Sequence, residues 1–336
     1  MAGLGHVQAA TTSEPLDRPA ITFVHPDQAV LLAVARAGSR LVAVGERGLI
    51  DLSDDDGRTW RQAQSPVSVT LTAVTFATPR IGWAVGHSGA ILTTRDGGEI
   101  WQSQFDGREL LAHVHQWLAA TPAAASTEVG KLAQQMTEDG PDKPLFGVFF
   151  QDPLHGIAFG SYGLMLFTEN GGESWRLGLP LAAAARGRHL YGTQPMAHGL
   201  VFVGEAGGIY ESTGLESPLD AIASPYQGTL FGVVRLQGDA AIAFGLKGHA
   251  MRTDDGGAHW TLLHLPCEGS INAGVRLDDG RVVLATQLGE VVISSDGGSS
   301  FVFVPVPVHA PFADVIGVPR GLVAVGLRGA TFIPLP

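Results

Sequence analysis

Residues 82–101 read Gly82-Trp-Ala-Val-Gly86-His-Ser-Gly89-Ala-Ile-Leu-Thr-Thr94-Arg-Asp96-Gly-Gly98-Glu-Ile-Trp101. Two short apolar runs flank a Gly-x-x-Gly turn, and a Thr-x-Asp-x-Gly-x-x-Trp turn follows. The first element returns along the whole chain. Its closing glycine is residue 48, 89, 163, 207, 248, 289 and 329, at steps of 41, 74, 44, 41, 41 and 40. Units that recur every 40 residues or so, each holding several short strands, are the signature of propeller blades. Each unit is preceded by another apolar run, starting at Leu31, Leu71, Leu145, Leu190, Leu230, Ile271 and Phe312. These runs read as the innermost strands. Small residues within them, such as Ala33, Gly147, Gly192 and Gly232, suit crowding near a central axis.

The second turn type occurs five times, as Ser53–Trp60, Thr94–Trp101, Thr168–Trp175, Thr253–Trp260 and Ser294–Phe301. It is the Asp-box. Its carboxylate or amide (Asp55, Asp96, Asn170, Asp255, Asp296) can accept hydrogen bonds from its own turn, its glycine supplies a positive φ, and its aromatic residue buries surface between blades. The competing reading, five cation sites, is poor: each turn offers one well-placed carboxylate, whereas Ca²⁺ takes about 6–8 oxygens. Unit four replaces the box with Glu211–Pro218, and unit seven ends after three strands. Pro19–His25 is therefore expected to supply the missing outer strand and close the ring. The fold expected is all-β, a seven-bladed β-propeller over residues 20–336 with joined N- and C-terminal strands. Residues 1–19 read as a disordered tail or a signal-peptide remnant, with Val7-Gln8-Ala9 resembling a cleavage site.

The long step marks an insertion over 107–141. Leu110, Leu111, Val114, Trp117 and Leu118 repeat at helical spacing after the capping pair Asp106 and Glu109. A second helix is expected from Pro122 to about Thr137, with an apolar stripe at Val129, Leu132, Ala133 and Met136. Strands alternate in direction within a blade. A connection from a fourth strand to the next first strand therefore shares a face with the Gly-x-x-Gly turns, and the Asp-boxes occupy the opposite face. Function is expected on the hairpin face, where loops ride on a rigid scaffold. The candidate binding residues there are Glu46, Arg47, His87, Tyr162, Glu205, Lys247 and Arg328 in the turns, with Trp117 on the hairpin.

Composition narrows the chemistry. The formal net charge is −11, which disfavours nucleic acid and anionic lipid as partners. One cysteine, Cys267, excludes an intramolecular disulfide and a CxxC zinc site. No apolar run reaches the ~18 residues of a membrane span. His113 and His115 are two apart on a helix and diverge, so they do not form a metal pair. No catalytic constellation, metal or cofactor is implied. A glycan-binding or sialidase-like glycoside hydrolase is the alternative. It requires two carboxylates, such as Glu46 and Glu205, roughly 5 to 10 Å apart across an axial pocket.

The blade unit of residues 82–101 resembles the photosystem II assembly and stability factor family, and the likeness at repeat level extends over nearly all of 20–336. The resemblance implies a non-catalytic chaperone that binds membrane-protein subunits from the lumenal or periplasmic side. In non-photosynthetic bacteria it implies an envelope accessory of complexes such as RND-type transporters. Arg47, Lys247 and Arg328 match the family's arginine-rich patch in part. The acidic balance and the helical insertion depart from the family pattern.

Overall fold

The computed structural model describes residues 14–335. Seven antiparallel sheets follow one another around a ring, six of four strands and, among the described residues, a last one of three. The inner strands begin at the seven residues expected: Leu31, Leu71, Leu145, Leu190, Leu230, Ile271 and Phe312. Successive strands in each blade are joined by tight turns, so the strand order in every sheet is the chain order.

The core is divided among the blade interfaces. Seven apolar clusters occur, one between each pair of neighbouring blades. Each Asp-box aromatic packs back against the preceding blade: Trp101 with blade one, Trp175 with blade two, Trp260 with blade four and Phe301 with blade five. The boxes behave as local turns. The hydroxyl of Ser53, Thr94, Thr168, Thr253 or Ser294 donates to the Asp or Asn two residues on, at 2.7–2.9 Å. The same hydroxyl accepts the N–H of the box glycine at 2.8–3.0 Å. Hydrogen bonds from Thr59 hold the Asp55 carboxyl down at about 2, and those from His259 do the same for Asp255. The box carboxylates are thus spent on their own turns.

Ring closure differs from the expectation. Pro19–His25 forms no strand on blade seven. It runs extended beside blade one instead: the Phe23 N–H donates to Gln62 Oε1 at 2.8 Å, and Gln62 Nε2 donates to the Ile21 carbonyl at 2.8 Å. Phe23 still packs into the cluster between blades seven and one, so the apolar half of the closure survives without its ladder. Trp60, whose preceding blade lacks a fourth strand, is the least buried box aromatic. Of the tail over 1–19, residues 1–13 and the cleavage-like Val7-Gln8-Ala9 lie outside the described residues. Residues 14–19 are bound: the Ser68 N–H donates to the Pro15 carbonyl at 2.8 Å, and Arg108 pairs with Asp17 at 3.0 Å.

Two buried carboxyls mark the same seam. Asp314 occupies an inner-strand position that is Ala or Gly in the other blades. Its Oδ2 accepts the Val34 N–H of blade one at 2.9 Å, an inter-blade clip, and burial raises its pKa to about 6. Asp51 is fully buried where blades two, three and six carry Leu92, Leu166 and Val292, and neither of its oxygens has a partner. Burial, with the Asp27 carboxylate a lesser cause, raises its pKa to about 7.

The insertion forms α1 (Gly107–Ala120) and α2 (Glu128–Glu138). Asp106 caps α1 by accepting the Arg108 N–H at 2.7 Å. The second helix starts six residues later than expected. Pro122–Ser126 is a 3-10 turn, and Thr127, in an extended conformation, caps α2 by accepting the Gly130 N–H at 3.1 Å. A threonine hydroxyl at an N-cap outweighs the start signal of the earlier proline. Leu110, Val114, Ala133 and Met136 are fully buried in the cluster between blades two and three, so the hairpin is part of the core.

Candidate functional site

All seven inner strands are bulged against their neighbours at one place, near the hairpin face. The extra residues are Leu32, Thr72, Phe146, Tyr191, Phe231, Asn272 and Ala313. A bulge re-aims the side chain it carries, and several of these reach the next blade. Thr72 Oγ1 donates to the Leu145 carbonyl at 2.6 Å, and Asn272 Nδ2 donates to the Phe312 carbonyl at 2.8 Å. In blades three to five the bulged residues are aromatic. Phe146 and Tyr191 stack at 5.0 Å, and Tyr191 meets Phe231 edge-on at 5.6 Å. His189 extends the arc, 5.8 Å from Phe146 and 5.5 Å from Tyr162. Five half-buried rings thus run from the axial mouth to the turn of blade three.

Polar contacts fix this arc. The Tyr162 N–H donates to His189 Nδ1 at 3.2 Å, and the same ring nitrogen lies 3.4 Å from Glu205 Oε2. Glu205 Oε2 accepts the His189 backbone N–H at 2.8 Å. Burial raises the Tyr191 hydroxyl above its usual pKa, aided by the Glu205 charge. Lys143 is fully buried, donates to the Gly140 carbonyl at 2.7 Å and lies 5.8 Å from the Tyr162 ring centre. The arc therefore joins the propeller to the end of the hairpin. Beside it a hollow of about 230 Å³ opens between α2, the Tyr162 turn and the connection to blade four, lined by Val129, Leu132, Leu179 and Ala182.

The residues singled out from sequence divide into three groups. Tyr162 and Glu205 belong to the arc. Glu46, Arg47, His87, Lys247 and Arg328 are exposed on the turns of blades one, two, five and seven. Trp117 is half-buried against the core that the hairpin shares with the blades. Arg47, Tyr162 and Lys247 share a left-handed backbone at the third position of their turns, at φ 55–58°. Phe146, His189, Tyr191 and Phe231 were missed. The usable signal was the residue after each inner-strand start, where three aromatics fall in consecutive blades. Among the described residues no three His, Cys, Asp or Glu side chains gather as a metal site. Glu205 is engaged in holding His189, whereas Glu46 stands exposed on the turn of blade one.

A cleft of about 1000 Å³ lies on the other face. It opens at the Asp-box end of the inner strands of blades six, seven and one. The faces thus have different chemistry, aromatic on the hairpin side and rich in arginine here.

The family described as photosynthesis system II assembly factor YCF48 matches residues 34–115. Over these residues the chain is similar to a photosystem II assembly factor, and its fold is a seven-bladed β-propeller. The photosystem II assembly protein Ycf48 of Thermosynechococcus vestitus is 31% identical over 87 residues, 25% of each chain. The chloroplastic stability/assembly factor HCF136 of Cyanidioschyzon merolae is 42% identical over 48 residues, 14% of this chain and 11% of that one. The matched sequence thus spans a quarter or less of these relatives' length. Superposition extends further. YCF48 from Cyanidioschyzon merolae aligns with TM-score 0.64 at 16% identity, over 91% of this chain and 95% of its own. YCF48 bound to D1 peptide aligns with TM-score 0.66 at 16% identity, over 95% and 99%. The WD40 propeller of Doa1 reaches TM-score 0.62 at 11% identity over 95% and 96%, so superposition alone speaks to the fold.

Proposed function

We propose that this photosystem II assembly factor-like propeller is a non-catalytic scaffold or assembly factor, which holds a segment of a membrane-protein subunit on its hairpin face. The observation that carries the reading is the aromatic arc Tyr162–His189–Phe146–Tyr191–Phe231. Rigid, half-buried rings give contact area at low entropic cost and typify binding surfaces. The related YCF48 has been captured with a D1 peptide, which supports a peptide-like ligand here. An extracytoplasmic location and an envelope partner such as an RND-type transporter complete the proposal. No described helix is long and apolar enough to cross a membrane, so the partner supplies the membrane segment in this reading.

The test is site-specific photocrosslinking in cells. A photoreactive residue replaces Tyr191 on the arc or Gln237 on the Asp-box face, and adducts are identified by mass spectrometry. A membrane-protein subunit crosslinked from 191 and absent from 237 is expected. Equal adducts from both positions, or soluble proteins alone from 191, would overturn the reading. Deleting 107–141 is a poorer test, because removal of Leu110, Val114, Ala133 and Met136 opens the core.

A further inference from the structure

The cleft on the Asp-box face is lined by residues of blades six, seven and one. The sixth position of the inner strand is Arg36 in blade one, Arg235 in blade five and Arg276 in blade six, but Gly317 in blade seven. Gly317 lies in the lining with Arg36 and Arg276, and the blade turns add Arg281 and Arg320. The floor is apolar, built from Val275, Ile316, Val318 and Leu335.

The charges of this cleft are poorly matched. Four guanidiniums line it against two carboxylates, Asp278 and Asp279. Asp279 is committed to Arg281, to which it binds at 2.8 Å. Arg36 donates to the Gly317 carbonyl, a neutral partner. Among the described residues Arg36, Arg276 and Arg320 form no salt bridge. In a chain of net charge −11, an excess of two positive charges in this cleft is a local reversal of sign. Guanidinium forks bind oxyanions in pairs of parallel hydrogen bonds, more strongly where water is partly excluded.

We infer that this cleft is an anion site for a dianionic head group on an apolar body, a phosphate monoester being the chemistry that fits. The head sits between Arg36, Arg276 and Arg320, and the apolar body lies on Val275, Ile316 and Val318. The same head group exists free in solution and on phosphatidic acid at a membrane surface. The site is separate from the aromatic arc and independent of what the arc binds.

Two probes distinguish the sources. Glycerol 3-phosphate is titrated by calorimetry, and phosphatidylcholine vesicles with and without phosphatidic acid are tested by co-sedimentation. Binding of at least one probe is expected, weakened about tenfold or more in Arg276→Ala/Arg320→Ala. The pair Arg47→Ala/Lys247→Ala, on the hairpin face, should bind as the parent does. Glycerol 3-phosphate binding marks a soluble ligand. Binding confined to phosphatidic acid vesicles marks a membrane one. If the double variant does not fold, Arg320→Glu at the exposed turn gives the same comparison. No binding of either probe overturns the inference, and so does equal weakening by substitutions on both faces.

Discussion

Asp51→Leu should stabilise the protein, and the gain should grow with pH. The position faces the seam between blades seven and one, and its carboxyl is buried with neither oxygen partnered. Burial raises its pKa from 3.8 to about 7. Below the unfolded value the group is protonated in both states and contributes nothing. Between the two values only the unfolded chain ionises, so stability falls as pH rises, by about 1.4 kcal/mol per unit. The deficit is about 2 kcal/mol near pH 5 and levels off at about 4 kcal/mol near pH 8. Leucine, the residue at the matching place in blades two and three, removes that deficit and fills the site. Urea unfolding followed by tryptophan fluorescence at both pH values measures it. The difference between variant and parent cancels every other titrating group. A difference that stays constant with pH, or a variant less stable than the parent near pH 8, would refute the reasoning.

Three further outcomes follow from local geometry. Ala206→Gly, at φ 53° in the turn of blade four, should raise stability by roughly 0.5–1 kcal/mol, because a left-handed alanine costs about 1–2 kcal/mol and glycine returns part of that through its looser unfolded chain; thermal unfolding by circular dichroism checks it. Asp314→Ala leaves the Val34 N–H without its partner and should cost about 1–3 kcal/mol near pH 5. With the folded pKa raised to about 6, the stability that Asp314 contributes is lost as pH rises, so this penalty should shrink near pH 8 in the same urea assay. Asp255→Asn should blunt acid unfolding: the box holds this carboxyl near 2, so its contribution is present above the ordinary carboxylate range and lost as pH falls towards 2, as an acid titration followed by fluorescence will show.

The repeat made the architecture legible because each blade is a local unit. A period near 40, a turn that only certain residues can form and an aromatic at its end are all written within one stretch of chain, as at 82–101. The faces could be assigned for the same reason, since strand alternation is local arithmetic. What escaped depends on contacts between blades. Whether Pro19–His25 pairs with blade seven is decided by Gln62, whose side chain offers both a donor and an acceptor to the passing backbone. The core of the aromatic arc escaped because Phe146, Tyr191 and Phe231 lie in three units, one residue past the strand start, and the bulge turns them towards each other. The arginine cleft escaped more thoroughly. Arg36 and Gly317 are 281 residues apart, and the arginines that line the cleft come from three blades.

Both unusual carboxyls fall at the seam between blades seven and one, which the cleft also borders, and the reason is mechanical. Six interfaces are formed by blades that are neighbours in sequence, with Asp-box aromatics buried in four of them. The seventh joins the ends of the chain and lacks a fourth strand among the described residues. It substitutes a carboxylate clip at Asp314, a side-chain ladder at Gln62 and a half-buried Trp60. It is also the interface least protected against opening. Hydrogen exchange should therefore release the amides of residues 329–333 before those of the inner strand Leu230–Arg235, and the more so above pH 7, where Asp51 ionises. Uniform protection around the ring at both pH values would show that the missing strand is not the weak point and that the clip at Asp314 compensates for it in full.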